Sequence, residues 1–251
     1  MSVGINLNTN NACNWRCVYC QVPGLVQGKA PAVDLAQLER ELTGFLDEVV
    51  HGDWIERSAP EGARLSDVAF SGNGEPTSSP QFAQAVECAG RALAHARLAG
   101  SIPLVLITNG SLMGRSAVQR ALRRLAELDG RVWFKLDSAT DAGQERINSS
   151  SAGAARALGN LEIAARLAPT WIQTLAMDWH GSTLAGAEEQ AYLELLAGLA
   201  RRGVAVRGVL LYGLARPSHH PEAPELRALP AGELERLARR IEALGLPVSV
   251  F

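Results

Sequence analysis

A strand–helix alternation repeated six times along 251 residues constrains the fold of this chain more than any other feature. Residues 3–8 read as a short strand. Asp34 then caps a helix in which Leu35, Leu38, Leu42, Phe45, Leu46 and Val49 follow the 3.6-residue period. Strand patterns at 67–71, 104–108, 132–136, 171–177 and 206–212 follow, separated by helical patterns at 80–98, 116–128, 152–167 and 184–202. A last helix is expected at 232–244 and a short strand at 247–251, with 51–64 and 219–230 left as loops. Repeated βα units build a parallel sheet with right-handed crossovers and helices on its outer face. Six units are too few to close an eight-stranded barrel. The expected fold is therefore α/β, an open (βα)6 partial TIM-like barrel made by residues 1–251 as one domain; a doubly wound sheet is the alternative.

Both folds bind ligands at the carboxyl ends of their strands, and the unusual polar segments of this chain fall there. A cysteine-bearing loop follows the first strand and Gly72-Asn73-Gly74-Glu75-Pro76 the second. Thr108-Asn109-Gly110 ends the third and Asp137-Ser138 the fourth. Asp178-Trp179-His180 follows the fifth, and residues 212–220, including Tyr212, Arg216, His219 and His220, follow the sixth.

Cys13, Cys17 and Cys20 lie in one eight-residue window, and the only other cysteine is Cys88. Three thiolates can hold three irons of a [4Fe–4S] cluster and leave the fourth iron open to a small molecule. Other readings exist. A disulfide framework needs an oxidising compartment, and the N-terminal residues show no positively led apolar segment that would direct secretion. Structural zinc needs a fourth ligand close by, and the nearest histidine, His51, lies beyond a whole helical pattern. Buried inert cysteines fit poorly in a polar, asparagine-rich loop. Cys88, inside a helical pattern, reads as a small buried hydrophobe.

Charge narrows the partners. With 24 basic and 26 acidic residues the net charge is −2 at pH 7, which argues against broad electrostatic binding of nucleic acid. No run approaches the roughly 20 apolar residues of a membrane helix, so a soluble, cytoplasmic protein without a membrane partner is expected.

The C-x3-C-x2-C spacing with an aromatic before the last cysteine, followed by Gly-Glu-Pro after the second strand, resembles the core of the radical S-adenosylmethionine (SAM) enzymes. The segments FSGNGEPT, LITNGSL, FKLDSA and LYGLARPS, in that order, are similar to a subgroup of stand-alone iron–sulfur oxidoreductases related to the wyosine tRNA-base synthases. Wyosine synthases carry cysteines for a second cluster, and this chain has none to spare, so a tRNA substrate does not carry over. The resemblance implies a [4Fe–4S] cluster on Cys13, Cys17 and Cys20, with SAM chelating the open iron. Gly72, Asn73, Gly74 and Glu75 would then meet the methionine end, the Glu75 carboxylate accepting from the amine. Tyr19 would pack on adenine by its ring and offer it backbone hydrogen bonds, and Thr108 and Asn109 would meet the ribose or carboxylate. Asp137 and Ser138 would bind the ribose, and Lys135 would pair with the SAM carboxylate or with Asp137 on its own strand face. Asp178, His180, Tyr212, Arg216 and His219, at the far rim, are expected to bind substrate.

The implied activity is reductive cleavage of SAM to a 5′-deoxyadenosyl radical that removes hydrogen from a modest-sized small-molecule or peptide substrate. The electron would come from an external donor such as flavodoxin or ferredoxin. A glycyl-radical-enzyme activating enzyme and a wyosine-type tRNA-modifying enzyme are the alternatives within this chemistry. An iron–sulfur or zinc binding module is the non-enzymatic one.

Overall fold

The computed structural model describes residues 1–251. Its centre is a sheet of seven strands: β1 (Ser2–Ile5), β2 (Asp67–Phe70), β3 (Leu104–Thr108), β4 (Arg131–Lys135), β5 (Thr170–Leu175), β6 (Val209–Tyr212) and β7 (Val248–Val250). The helices between and after them are α1 (Leu35–His51), α2 (Phe82–His95), α3 (Ser116–Glu127), α4 (Asp141–Asn148), α5 (Ala154–Leu167), α6 (Gly186–Arg201) and α7 (Ala231–Glu242). All neighbouring strands of this sheet run parallel, and their spatial order is their order in the chain. A doubly wound sheet reverses its strand order at a switch point; this sheet never does. It is singly wound, with β1 and β7 as unjoined edges, which makes it a partial barrel.

Alternation along the strands sorts the side chains. On β4, Val132 and Phe134 are buried in the main hydrophobic cluster beneath the helices, whereas Lys135 faces the hollow side. β2 is buried at all four positions, as expected of a strand covered on both faces. Helix α1 starts where its cap predicts: Asp34 Oδ1 accepts from the Ala36 and Gln37 amides at 2.9 and 3.0 Å. Its buried positions Leu42, Leu46 and Val49 each contribute about 1.5–3 kcal/mol of transfer free energy.

Three features depart from the sequence expectation. Residues 141–148 form α4, a polar helix with Thr140 as its cap; it has no long apolar stripe to announce it. The stretch 51–64 contains a one-turn helix, Trp54–Ser58. Within 219–230, Arg227–Ala228 pairs antiparallel with Met177–Asp178 beyond the end of β5. The segment at 247–251 is a true strand and forms the seventh of the sheet.

Candidate active site

The loop that leaves β1 is held on three sides. The Asn8 amide donates to the Ala12 carbonyl at 2.8 Å, and Ala12–Cys13 pairs with Val26–Gln27 in a short parallel ribbon. The carboxyl end of α4 grips the middle of the loop: the Arg16 and Val18 amides donate to the Asn148 and Ile147 carbonyls at 3.2 and 2.9 Å. The segment after β6 crosses the far end. Ser218 Oγ donates to the Val18 and Cys20 carbonyls at 2.6 and 3.0 Å, and the His219 amide to the Cys20 carbonyl at 2.9 Å. Arg16 and Glu222 close this clamp with a two-point ion pair at 2.9 and 2.8 Å.

Gly74 admits this packing. A Cβ there would sit 2.1 Å from the Ala12 carbonyl oxygen, so only glycine lets the loop after β2 lie against the cysteine loop.

A cavity of about 470 Å³ opens at the carboxyl ends of the strands. Cys13, Cys17 and Cys20 line it together with Tyr19, Gly72, Gly74, Glu75, Asn109, Lys135 and Asp137 on one side. Gln173, Tyr212 and Arg216 line the other, and Trp15, Leu25, Ile107, Leu175 and Leu214 make its wall apolar. Lys135 and Gln173 are register partners across β4 and β5, as are Leu175 and Tyr212 across β5 and β6.

The three cysteines are free thiols. No three Cys, His, Asp or Glu side chains gather closely enough for a single ion. A cluster instead spreads its thiolates over separate irons. Burial pushes the Cys13 thiol up to about 12 and raises Cys17 as well; thiolates at these positions require strong positive charge beside them, which iron supplies. The donor set and its shared cavity fit a [4Fe–4S] cluster.

Two buried carboxylates organise the neighbouring rim. Glu75 accepts from the Thr77 amide at 3.1 Å, the Asn109 amide at 2.7 Å and the Thr77 and Thr108 hydroxyls. Burial raises its pKa, against the pull of these donors. The carboxylate thus ties the loop after β2 to the end of β3. All four of these partners belong to the protein; three of them fall on Oε1 and one on Oε2, and the carboxylate also lines the cavity. Asp137 accepts from the Tyr19 hydroxyl, from Asn148 Nδ2 at 2.8 Å and from the Leu175 amide at 3.0 Å.

Lys135 Nζ lies 4.9 Å from the centre of the Tyr19 ring, a cation–π placement. Burial opposes its charge, but Asp137 and the cysteine sulfurs outweigh it, and its pKa is raised. The expected Lys135–Asp137 pairing is replaced by these two separate engagements. The Tyr19 ring carries Lys135 and its hydroxyl serves Asp137, while its backbone amide and carbonyl have no partner within the chain.

Several expected residues stand away from the cavity wall. Thr108 is buried behind it on Glu75, and Asn73 Nδ2 donates to Asn11 Oδ1 at 2.6 Å. Ser138 Oγ donates to Glu188 of α6 at 2.8 Å, so it anchors the end of β4. On the far rim only Tyr212 and Arg216 face the cavity. His180 and Trp179 share Glu225 at 3.0 Å on the outer surface. Asp178 caps its own turn through the Gly181 amide at 2.8 Å, and His219 contributes its backbone to the clamp. Sequence reasoning overlooked Asn148, Glu222 and Ser218. Their only signal is proximity in space, across as many as 206 residues for Arg16 and Glu222.

A singly wound partial barrel with three cysteines and a glycine-rich turn at one rim defines a class, and the sequence agrees. The Radical SAM superfamily profile matches residues 7–183, and the chain belongs to that superfamily. It is an enzyme whose cofactors are a [4Fe–4S] cluster and SAM. No curated protein matches the sequence.

Among solved structures, a radical SAM methyltransferase from Sphaerobacter thermophilus superposes with a TM-score of 0.63 at 17% identity, over 100% of this chain and 65% of its own. HydG, a maturase of the [FeFe]-hydrogenase, gives 0.61 at 11% identity over 99% of this chain and 50% of its own. TYW1 with a lysine–pyruvate adduct bound gives 0.55 at 18% identity over 92% and 70%. These likenesses show the shared fold. The chain spans about two thirds of the methyltransferase and half of HydG. No helix is long and apolar enough to cross a membrane.

Proposed function

We propose that Cys13, Cys17 and Cys20 hold the cluster and that this enzyme removes hydrogen from a modest-sized substrate lodged between the cluster loop and the ends of β5 and β6. One observation carries the reading: a single cavity joins the three cysteines to the polar ends of β2–β4 and then to Gln173, Tyr212 and Arg216. When bound, the cluster and SAM supply a one-electron cleavage that yields a 5′-deoxyadenosyl radical.

The chain's residues do the positioning. Lys135 presents its ammonium to the methionine carboxylate, and Gly72 and Gly74 bring backbone to the methionine end. Asn109 donates its second Nδ2 hydrogen to the ribose, Asp137 accepts from a ribose hydroxyl, and the unpaired Tyr19 backbone meets the adenine edge. Asn73, Thr108 and Ser138 hold these groups from behind, and Glu75, on the cavity wall, meets the methionine amine. Ile107, Leu175 and Leu214 keep water from the reacting centre. Gln173 Oε1, buried without a partner, Tyr212 and the planar fork of Arg216 are left to the substrate. An electron donor of the flavodoxin or ferredoxin class completes the system.

The test is anaerobic reconstitution with iron and sulfide, then measurement of 5′-deoxyadenosine after adding SAM and dithionite. Formation by the wild type and its loss in Cys17→Ala is expected. Equal yields from the two proteins would overturn the assignment.

A further inference from the structure

Asn148 is the last residue of α4, 1% exposed, and lies 131 positions from Cys17 in the chain. Its Nδ2 carries two hydrogens and spends them on two groups: Cys17 Sγ at 3.3 Å and Asp137 Oδ2 at 2.8 Å. It is the only side-chain amide that reaches a cysteine sulfur of the loop; Cys13 receives the Trp15 backbone amide at 3.5 Å. The Asn148 carbonyl also accepts from the Arg16 amide at 3.2 Å, and the next residue, Ser149, donates through Oγ to the Arg16 carbonyl at 3.1 Å. The end of α4 therefore sets the height of the loop with its backbone and presents one N–H to one sulfur with a side chain.

We propose that Asn148 is a positioning residue that sets the reduction potential of the cluster through its N–H···S contact to Cys17, and that it ties this sulfur to Asp137. The inference rests on the assignment of the cluster to Cys13, Cys17 and Cys20. Hydrogen bonds to cluster sulfurs are among the determinants of potential. A donor stabilises the reduced state more, because that state carries more negative charge on sulfur. Removing the donor therefore makes the cluster harder to reduce. Asp137 fixes the amide in this orientation, so its second hydrogen cannot leave the sulfur without breaking the carboxylate contact as well.

The experiment is an EPR-monitored redox titration of the reconstituted full-length protein without SAM, run on wild type, Asn148→Ala, Asn148→Leu and Ser149→Ala. Iron and sulfide content of the wild type is measured first. A wild type unable to hold four irons would sink the cluster assignment itself, separately from the role of Asn148. With the cluster present, both Asn148 variants are expected to reduce roughly three- to tenfold less readily. That corresponds to a negative shift of up to about 59 mV for a one-electron couple. Ser149→Ala, which loosens the same loop without removing a donor to sulfur, is expected to keep the wild-type potential. An unchanged potential in the Asn148 variants would overturn the proposal, as would an equal shift in Ser149→Ala. Loss of the fold or of the cluster in both Asn148 variants would also overturn it, since Asn148 would then be an assembly residue.

Discussion

The two sides of the barrel mouth satisfy their acids by opposite means. On the cluster side, Glu75 and Asp137 are 2% exposed and are met by hydroxyls, an amide side chain and backbone N–H groups. On the far side two acids are met by arginines: Glu222 by Arg16, and Glu189 of α6 by Arg236 and Arg240 of α7. Neutral donors fix a carboxylate in place without cancelling its charge, whereas an ion pair cancels it. On the proposed reading these carboxylates, with Lys135 beside them, face a cofactor carrying a sulfonium and an amine. The far side is a set of clasps that hold loops and helices. The contrast breaks down if variants on the two sides fail in the same way.

The largest effect falls on the cysteines. Cys17→Ala should abolish iron binding after reconstitution. Cys88→Ala should leave iron content unchanged, because Cys88 is 3% exposed on α2, with its sulfur near Arg91 and the Leu35 carbonyl. Iron analysis and the visible absorption band decide it; cluster retained by Cys17→Ala would remove the basis for the two-sided description.

Glu75→Ala comes next. It strands the Asn109 and Thr77 amides and two hydroxyls in a buried site. A cost of about 3 kcal/mol in folding stability is expected, together with loss of SAM affinity as the loop after β2 detaches from β3. Urea denaturation and equilibrium dialysis read the two effects. A Glu75→Ala protein with wild-type stability would show that neutral donors do not hold this rim.

The division of labour is tested by Asp137 and Arg216. Asp137→Ala should weaken SAM binding by about tenfold or more, the scale of a lost hydrogen bond to a charged group, and should suppress SAM cleavage without substrate. Arg216→Ala should leave that uncoupled cleavage near wild type while product formation falls. Equal losses of SAM affinity in the two variants would merge the two sides.

The fold and the cofactor side were largely legible in the sequence because both rest on local pattern. The apolar periods gave all seven main-sheet strands, and motif spacing placed Cys13, Cys17, Cys20, Gly74, Lys135 and Asp137 on one cavity. The protein partners of Glu75 were not legible: only the fold brings Thr108 and Asn109, at the end of the next strand, onto a carboxylate that also lines the cavity. α4 was missed because its polar residues carry no 3.6-residue apolar stripe, although its end builds the cysteine loop. Asp178 and His180 misled for a related reason. Lying after a strand places a residue at the rim but not on its inner face, and here the turn at Gly181 carries both outward.

The smallest effect concerns the clasp between α6 and α7, and pH separates it from the cofactor side. Glu189 accepts from Arg236 at 2.8 and 3.2 Å and from Arg240 at 2.6 Å. Burial would raise its pKa, but the two arginines outweigh it and hold the carboxyl below its ordinary range. The folded value therefore lies below the unfolded one. The stabilisation is complete above the ordinary glutamate range, near 4.3, and is lost as pH falls through the folded value. At neutral pH Glu189→Gln should cost about 1–3 kcal/mol, the scale of hydrogen bonds to a charged acceptor, because both arginines are about half exposed and stay hydrated. In urea titrations from pH 7 to pH 3 the gap between wild type and variant should narrow as the pH drops. SAM affinity at neutral pH should not differ between the two proteins. A gap that stays constant to pH 3 would show that the arginines do not stabilise the charged form, and lost SAM affinity would show that the clasp reaches the cofactor side.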